Sequence, residues 1–462
     1  MDKKNKILLL SLNWLIYLFP LFYVLGSFFV NASVVLISII GLILYKWKIF
    51  DFKKDNLLIL ICCFFLIIII STFFENISNP GNVKLYKSLI FLRYLILLLV
   101  IRYALINDHI NLKKFLISCL ICSTIISLDV ILQFIIGKNI IGLESTALHR
   151  SSFFGDEPIA GGFIQKFSVL GFFVTITMFR ESYLKTLVSS AFLVVCFFGT
   201  FYSGNKMPTF MLIIFIFSIL FFLFINLKIY KNKKVMLSLP LIFIVLFLGL
   251  EKADDKLRKL SEKETGIYRN FSSLYNFLGG IPNLKIIYSE VTRDYSELEK
   301  YKGKTWFHYT EEFKDKEKYR YIPKWSAYNH LYITSLDLFL EKPLTGRGIK
   351  SFRETCKEKV HLPNRICSTH QHNYHLQILN DTGLIGYLVF FGVIIFIMFK
   401  CFRKNNLRSN IYFYAALSVL LIEFMPLRST GGFFSTMNSA YIFLMIGILL
   451  GLKELGYKSK DY

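Results

Sequence analysis

Apolar residues are not scattered along this chain; they fall into blocks separated by short polar stretches. Twelve blocks stand out, at roughly 7–25, 28–45, 57–74, 88–106, 115–136, 159–179, 184–202, 207–226, 235–250, 382–400, 411–427 and 438–452. Most run about 18–22 residues, the length that carries an α-helix across a bilayer. The pattern predicts an all-α, polytopic membrane protein with about twelve transmembrane helices, because a helix satisfies its own backbone hydrogen bonds in lipid. The first block begins near Ile7, after Lys3, Lys4 and Lys6. It lacks a small-residue cleavage site and a second block follows at once, so it reads as a span and not as a signal peptide.

The polar connections set the orientation. With the N-terminus in the cytoplasm, the inner segments carry 22 Lys or Arg and the short outer loops carry six, namely Lys84, Lys87, Lys138, Arg150, Lys206 and Arg428. That is the positive-inside bias, and it makes both termini cytoplasmic. One connection is far longer. Residues 251–381 form an outer loop between the ninth and tenth blocks, with 23 Lys or Arg and 17 Asp or Glu from 251 to 369. It is too long for a passive connector and too aromatic for a disordered tail. Within it, Tyr328–Leu340 has helical spacing and ends before Pro343, Gly346-Arg-Gly348 reads as a turn, and a second helix is expected over Asn373–Asn380, stopping near Gly383. The chain thus divides into residues 1–250 with nine spans, 251–381 as the loop, and 382–462 with three spans.

Composition sharpens this. A 54% hydrophobic content with 48 Phe exceeds what a soluble core needs. The net charge of +23 follows the topology, so no nucleic-acid partner is expected and the bilayer is the surrounding. Of eight cysteines, Cys356 and Cys367 both lie in the outer loop, 11 residues apart. On an oxidising face they are expected to pair and close the turn that leads into the histidines.

The candidate chemistry gathers where the loop re-enters the membrane. His370, His372 and His375 lie in Ser368-Thr-His-Gln-His-Asn-Tyr-His375. Their spacing puts no three on one helical face and fits no zinc pattern, so no metal is expected. One histidine is enough as a general base, since its pKa lies near neutrality. A surface histidine at the membrane rim is the bland alternative. Asn373 is placed to cap the following helix and so to fix the direction of His372. Charges within spans are costly and usually face a bundle interior; Asp129 and Lys166 are the simplest pair, and Arg102 is placed to snorkel to the cytoplasmic face. Arg150, shortly before Glu157, and Lys206, in the tight turn Ser203-Gly-Asn-Lys206-Met-Pro208, are outer-side cations at headgroup depth where a phosphate would sit. Arg320, Arg347 and Arg353 add loop cations, most of which solvation alone explains.

Together these features resemble the O-antigen ligase and polymerase family. The resemblance rests on the twelve blocks, the long loop before the tenth, and His372-Asn373-Tyr-His-Leu376-Gln-Ile-Leu379-Asn-Asp-Thr-Gly383-Leu-Ile-Gly386. Pro343-Leu-Thr-Gly346-Arg-Gly348 resembles a second family segment, and Ser203-Gly-Asn-Lys206 resembles a turn where many members carry arginine. The resemblance implies transfer of a glycan from undecaprenyl diphosphate to a hydroxyl, either of lipid A–core (ligase) or of another repeat unit (polymerase). It implies the outer face of the bacterial inner membrane, no cofactor and no metal. By the same resemblance His372 activates the acceptor hydroxyl, and Lys206 and either Arg320 or Arg353 correspond to arginines that hold the diphosphate. From the residues themselves, Arg150, Lys206 and at least one of Arg320 and Arg353 are expected to line one cavity with His372 and contact the diphosphate, with His370, Asn373 and Glu157 in support. Lys206 keeps the charge of the expected arginine without its bidentate fork.

Two other classes compete. A lipid-linked oligosaccharide transporter predicts internal repeats and functional charges near the midplane; the chain shows no repeat and its unusual residues lie at the outer rim. A polyprenyl-phosphate glycosyltransferase predicts an acidic motif in the first outer loop, which here is about Gly26-Ser27. Ligase is the favoured reading and polymerase stays open. The charge bias makes the first testable statement: a reporter fused after Lys300 is expected to work only in the form that is active outside the cytoplasm, and activity of a cytoplasm-only reporter there overturns the topology.

Overall fold

The computed structural model describes residues 2–51, 56–81, 83–145, 149–155, 157–178, 182–225, 284–306, 310–313, 327–403, 411–426, 428–429 and 431–458. Among these residues the chain is all-helical, with only isolated bridges at Pro80–Val83 and Lys138–Glu144. The helices are α1 Lys3–Tyr17, α2 Phe19–Leu25, α3 Ser27–Tyr45, α4 Asn56–Ser78, α5 Leu85–Phe91, α6 Arg93–Ile106, α7 Leu112–Ile136, α8 Ala160–Met178, α9 Ser182–Tyr202 and α10 Lys206–Ile225. They continue with α11 Leu284–Val291, α12 Ala327–Glu341, α13 Phe352–Thr355, α14 Tyr374–Arg403, α15 Ile411–Glu423 and α16 Thr436–Lys458.

Seven helices are long and apolar enough to cross a membrane, and α1–α2, bent by 57°, makes an eighth if counted as one span. Three shorter apolar helices, Lys206–Ile219, Ile411–Glu423 and Thr436–Leu452, stand where the eighth, eleventh and twelfth spans are expected. The ninth, 235–250, lies outside the described residues. The packed helices share one large apolar core, while Phe28, Ile136, Leu388 and Phe399 stay exposed, as side chains that face lipid do. Small residues let the backbones close up: a Cβ on Gly171 would lie 2.8 Å from the Leu120 backbone, and one on Gly447 would lie 3.0 Å from the Leu98 carbonyl.

Charges inside this core pair differently from the sequence expectation. Asp129 does not meet Lys166. Its carboxylate accepts from Ile140 N at 2.9 Å and from Ser152 Oγ at 2.5 Å, holding the loop after α7. Lys166 on α8 instead pairs with Glu423 on α15 at 2.9 Å. Arg102, expected to snorkel, is buried among the packed helices.

Segment 284–373 carries small apolar clusters of its own, one around Ile287, Leu331, Ile333, Leu338 and Phe352, another around Leu298, Trp306 and Leu362. Buried Arg365 ties α11 to α12 through Glu290 at 3.4 Å and Asp337 at 2.8 Å. Arg347 is buried as well and pairs with Glu341. Cys356 and Cys367 are joined as a disulfide.

The expected helix over Asn373–Asn380 and the tenth span are one element. α14 runs through both, and Gly383 alone leaves helical geometry, with φ 68° and ψ −176°. Such a break strands backbone groups that the helix would have paired. The Pro343–Gly348 segment pairs them: Arg347 N donates to Asn380 O at 2.7 Å, Gly348 N to Asp381 O at 2.9 Å, and Leu384 N to Pro343 O at 2.7 Å. The fit leaves no room for side chains. A Cβ on Gly346 would lie 2.4 Å from Gly383 N, and one on Gly383 would lie 2.1 Å from Leu344 O. Both glycines also have φ near +70°, which costs any other residue.

Gly383→Ala is therefore expected to destabilise the protein by about 2–4 kcal/mol, from backbone strain plus overpacking. Gly392→Ala, on the same helix with open space around it, is expected to stay within about 0.5 kcal/mol. Thermal midpoints of the solubilised protein check both.

Candidate active site

α14 starts where the polar segment meets the core, and Asn373 holds that start. Its Oδ1 accepts from Leu376 N at 3.1 Å, which caps the helix. Its Nδ2 donates to Pro426 O at 2.7 Å and to Arg428 O at 3.1 Å, which binds the cap to the turn after α15. The next residue, Tyr374, donates from its hydroxyl to Glu423 Oε2 at 3.3 Å. The residue before the cap, His372, is forced into the left-handed region, at φ 56°. Its ring packs against Tyr328 at 5.3 Å and His370 at 4.0 Å between centroids.

Behind the cap lies a fully buried polar cluster. Glu423 accepts from Lys166 at 2.9 Å and forms an ion pair with Arg428 at 2.7 Å. Lys166 also reaches Asn438 Oδ1 at 3.2 Å, and Arg428 reaches Gln165 Oε1 at 3.0 Å. A buried ion pair is a poor stabiliser, yet removing one partner costs ~3–5 kcal/mol, so the geometry is tightly held. The cluster links α8, α15, α14 and α16.

The three histidines have separate surroundings. His375 uses both ring nitrogens, bonding the Tyr387 hydroxyl at 2.9 Å and Phe424 O at 2.9 Å, and stacks on Phe391 at 4.5 Å. It is a packing residue. His370 meets Thr369 Oγ1 at 2.9 Å. Burial, and then the positive charges possible on His372 and present on Arg353, lower its pKa to about 4. Arg353 therefore stands with these histidines, and it is exposed.

A second group forms around the Ser203–Lys206 turn. Arg150 N donates to Ser203 O at 3.2 Å, and the buried Arg150 guanidinium donates to Tyr202 O at 3.3 Å and lies over Phe134 at 5.0 Å. Asn205 fastens the starts of two helices: its Oδ1 accepts from Gly161 N at 2.9 Å and its carbonyl from Thr209 N at 3.2 Å. Lys206 is exposed at the head of α10. His149, which the sequence reading passed over, belongs here too. Its pKa is lowered by burial, against a Ser203 backbone hydrogen bond, and further by Arg150 and Lys206. Its place next to Arg150 was the available signal. Two basic groups and two helix starts thus converge on one turn, which favours an anion. Gln165 and Gly161, one turn apart on α8, join this group to the Arg428 cluster and through Asn373 to His372.

Glu157 is exposed, and its backbone N–H closes a turn on Phe154 O at 3.2 Å. Arg320 lies outside the described residues. Among the described residues, no group of three His, Cys, Asp or Glu side chains is placed to hold a metal ion.

Residues 191–391 match the family model described as O-antigen ligase. Over that stretch, which is less than half of the chain, the sequence is similar to the O-antigen ligase family. The matched range takes in the Ser203–Lys206 turn, the Pro343–Gly348 segment and the start of α14; Arg150 and the Glu423 cluster lie outside it. No curated protein matches the chain. The apolar helices and this match point to a multi-pass membrane protein, and the match supports a glycosyl-transferring activity of the ligase and polymerase type.

The depressed histidine pKa values fix the sign of a pH effect. Folded His370 stays neutral down to about 4, whereas an unfolded histidine takes a proton near 6.5. Between those values the unfolded chain binds more protons, so stability falls as pH drops from about 6.5. His149 shifts in the same direction. The thermal midpoint is expected to decline from pH 7 to pH 5, less steeply in His370→Gln. An equal decline in both overturns the assignment.

Proposed function

We propose that this enzyme moves a glycan from undecaprenyl diphosphate to an acceptor hydroxyl on lipid A–core, at the periplasmic face of the bacterial inner membrane, with His372 as general base. One observation carries the reading: a histidine held at φ 56° directly before a capped, membrane-entering helix, its ring fixed between Tyr328 and His370. His372 accepts the hydroxyl proton, and the freed oxygen attacks the anomeric carbon from the side opposite the diphosphate. The anomeric carbon–oxygen bond breaks, its electron pair stays on the diphosphate, and configuration inverts. Lys206 and Arg150, with His149 beside them, stabilise the departing charge, which is the role a metal ion would otherwise fill. His372 then gives up its proton to water or to the leaving group.

The polymerase reading uses the same atoms with a glycan repeat unit as acceptor. The glycan pool of a deletion strain separates the two: undecaprenyl-linked polymer accumulates when a ligase is lost, single repeats when a polymerase is lost.

General base catalysis is worth ~10²–10⁴-fold in rate. His372→Ala is expected to lower turnover by about that factor and to keep donor binding, whereas Lys206→Ala is expected to weaken donor binding. His375→Ala is expected to act through stability and not through the pH dependence of turnover. Near-normal transfer by a folded His372→Ala enzyme overturns His372 as the general base.

A further inference from the structure

The second face of the histidine site is a cluster of like charges. Lys350 and Arg353 sit on the turn that follows the Gly346-Arg-Gly348 plug. That turn is fixed to α4: Gly348 N donates to Ser71 Oγ at 3.1 Å and Ile349 N to Thr72 Oγ1 at 3.3 Å. Lys350 N donates to Asp381 Oδ2 at 2.9 Å. α4 leads through a short loop into α5, which packs back on it and carries Lys87. Arg353 and Lys84 lie within electrostatic reach of Lys87. Arg93, two residues past α5, lies over the Tyr94 ring at 4.5 Å and bonds only neutral oxygens among its described partners, Tyr94 OH at 2.8 Å and Ile90 O at 3.2 Å.

Two carboxylates, Glu354 beside Lys87 and Arg353 and Asp381 beside Lys350, offset these four cations only in part. Glu354 is engaged by Lys357 at 2.7 Å. Asp381 is fully buried and takes the Lys350 backbone N–H. The Lys350 ammonium feels the excess: burial, and then the charges of Lys87, Arg93 and Arg353, push it below the ordinary lysine range, with Asp381 opposing. Like charges held together on rigid backbone repel at a cost to folding, and a bound anion relieves that cost. The surroundings say what kind of anion. Beside Lys87 on α5, Tyr86, Leu89 and Ile90 are 53%, 48% and 52% exposed, as residues facing lipid are. The cluster therefore adjoins an exposed apolar face and, through Arg353, the histidines.

We propose that Lys87, Arg93, Lys350 and Arg353 bind a phosphate on the sugar headgroup of the acceptor, so that the enzyme selects a phosphorylated glycolipid and presents its hydroxyl to His372. This rests on the transferase reading for its purpose, but the site is defined by binding alone.

The test uses the full chain in phosphatidylcholine nanodiscs and equilibrium binding of a bisphosphorylated glycolipid, its phosphatase-treated form, phosphatidic acid and undecaprenyl diphosphate. Wild type is expected to hold the phosphorylated glycolipid roughly tenfold or more tightly than the treated form. Lys87→Gln with Lys350→Gln is expected to erase that difference and leave undecaprenyl diphosphate binding intact. Lys87→Arg with Lys350→Arg is expected to restore it. Exposed Lys357→Ala is expected to change nothing. The proposal is overturned if wild type does not distinguish the two glycolipids, if phosphatidic acid competes equally well, or if the double variant weakens undecaprenyl diphosphate to the same extent. Transfer assays on His372→Ala, run in parallel, report on the catalytic reading separately, because loss of that reading leaves the glycolipid preference in place.

Discussion

A helix in a membrane has no water to take up backbone groups it leaves unpaired, so a break in one must be filled by protein. In α14 the break falls at Gly383 and the filler is Pro343–Gly348. This single contact explains why two motifs forty residues apart both need glycine, and why their spacing from the histidines matters. The plug places Lys350 and Arg353 on one side of the break, while the helical turns before it lead back to Asn373 and His372. Both walls of the site hang from the same few backbone hydrogen bonds.

The buried charge cluster complements that arrangement from below. Glu423 is bound by Lys166 and Arg428, and the Arg428 carbonyl in turn receives the Asn373 amide. The cap that aims His372 therefore answers to helices α8 and α15 as well as to its own. Replacing a charged member of the cluster disturbs the histidine without touching it, and also disturbs the path along α8 to the Ser203–Lys206 turn. The two basic groups are mechanically connected even though they serve opposite ends of the proposed reaction.

How much of this could be read from sequence follows from the range of each interaction. Hydropathy is local, and the long apolar helices among the described residues stand where the apolar blocks lie, though seven or eight of them, not twelve, are long and apolar enough to span a membrane. The Asn373 cap and the Gly383 stop are also local signals. Partner choice across helices is not. Asp129 and Glu423 are both carboxylates in apolar blocks, and only the packing of α8 on α15 decides that Lys166 meets the second. His149 was hidden for a related reason: its neighbour Lys206 is distant in sequence. Lys87 was legible only as a topological charge until the fold laid Lys350 and Arg353 beside it.

The Cys356–Cys367 bridge adds a constraint of compartment. Bonds of this kind persist where the surroundings are oxidising, and this one closes the turn between Arg353 and His370. Cys367 Sγ already lies 3.9 Å from the Arg353 carbonyl. On the oxidising face proposed for this segment, the bridge would tie the backbone that carries Arg353 to the backbone that leads into His370, so the compartment itself would supply one of the links that hold the proposed site together.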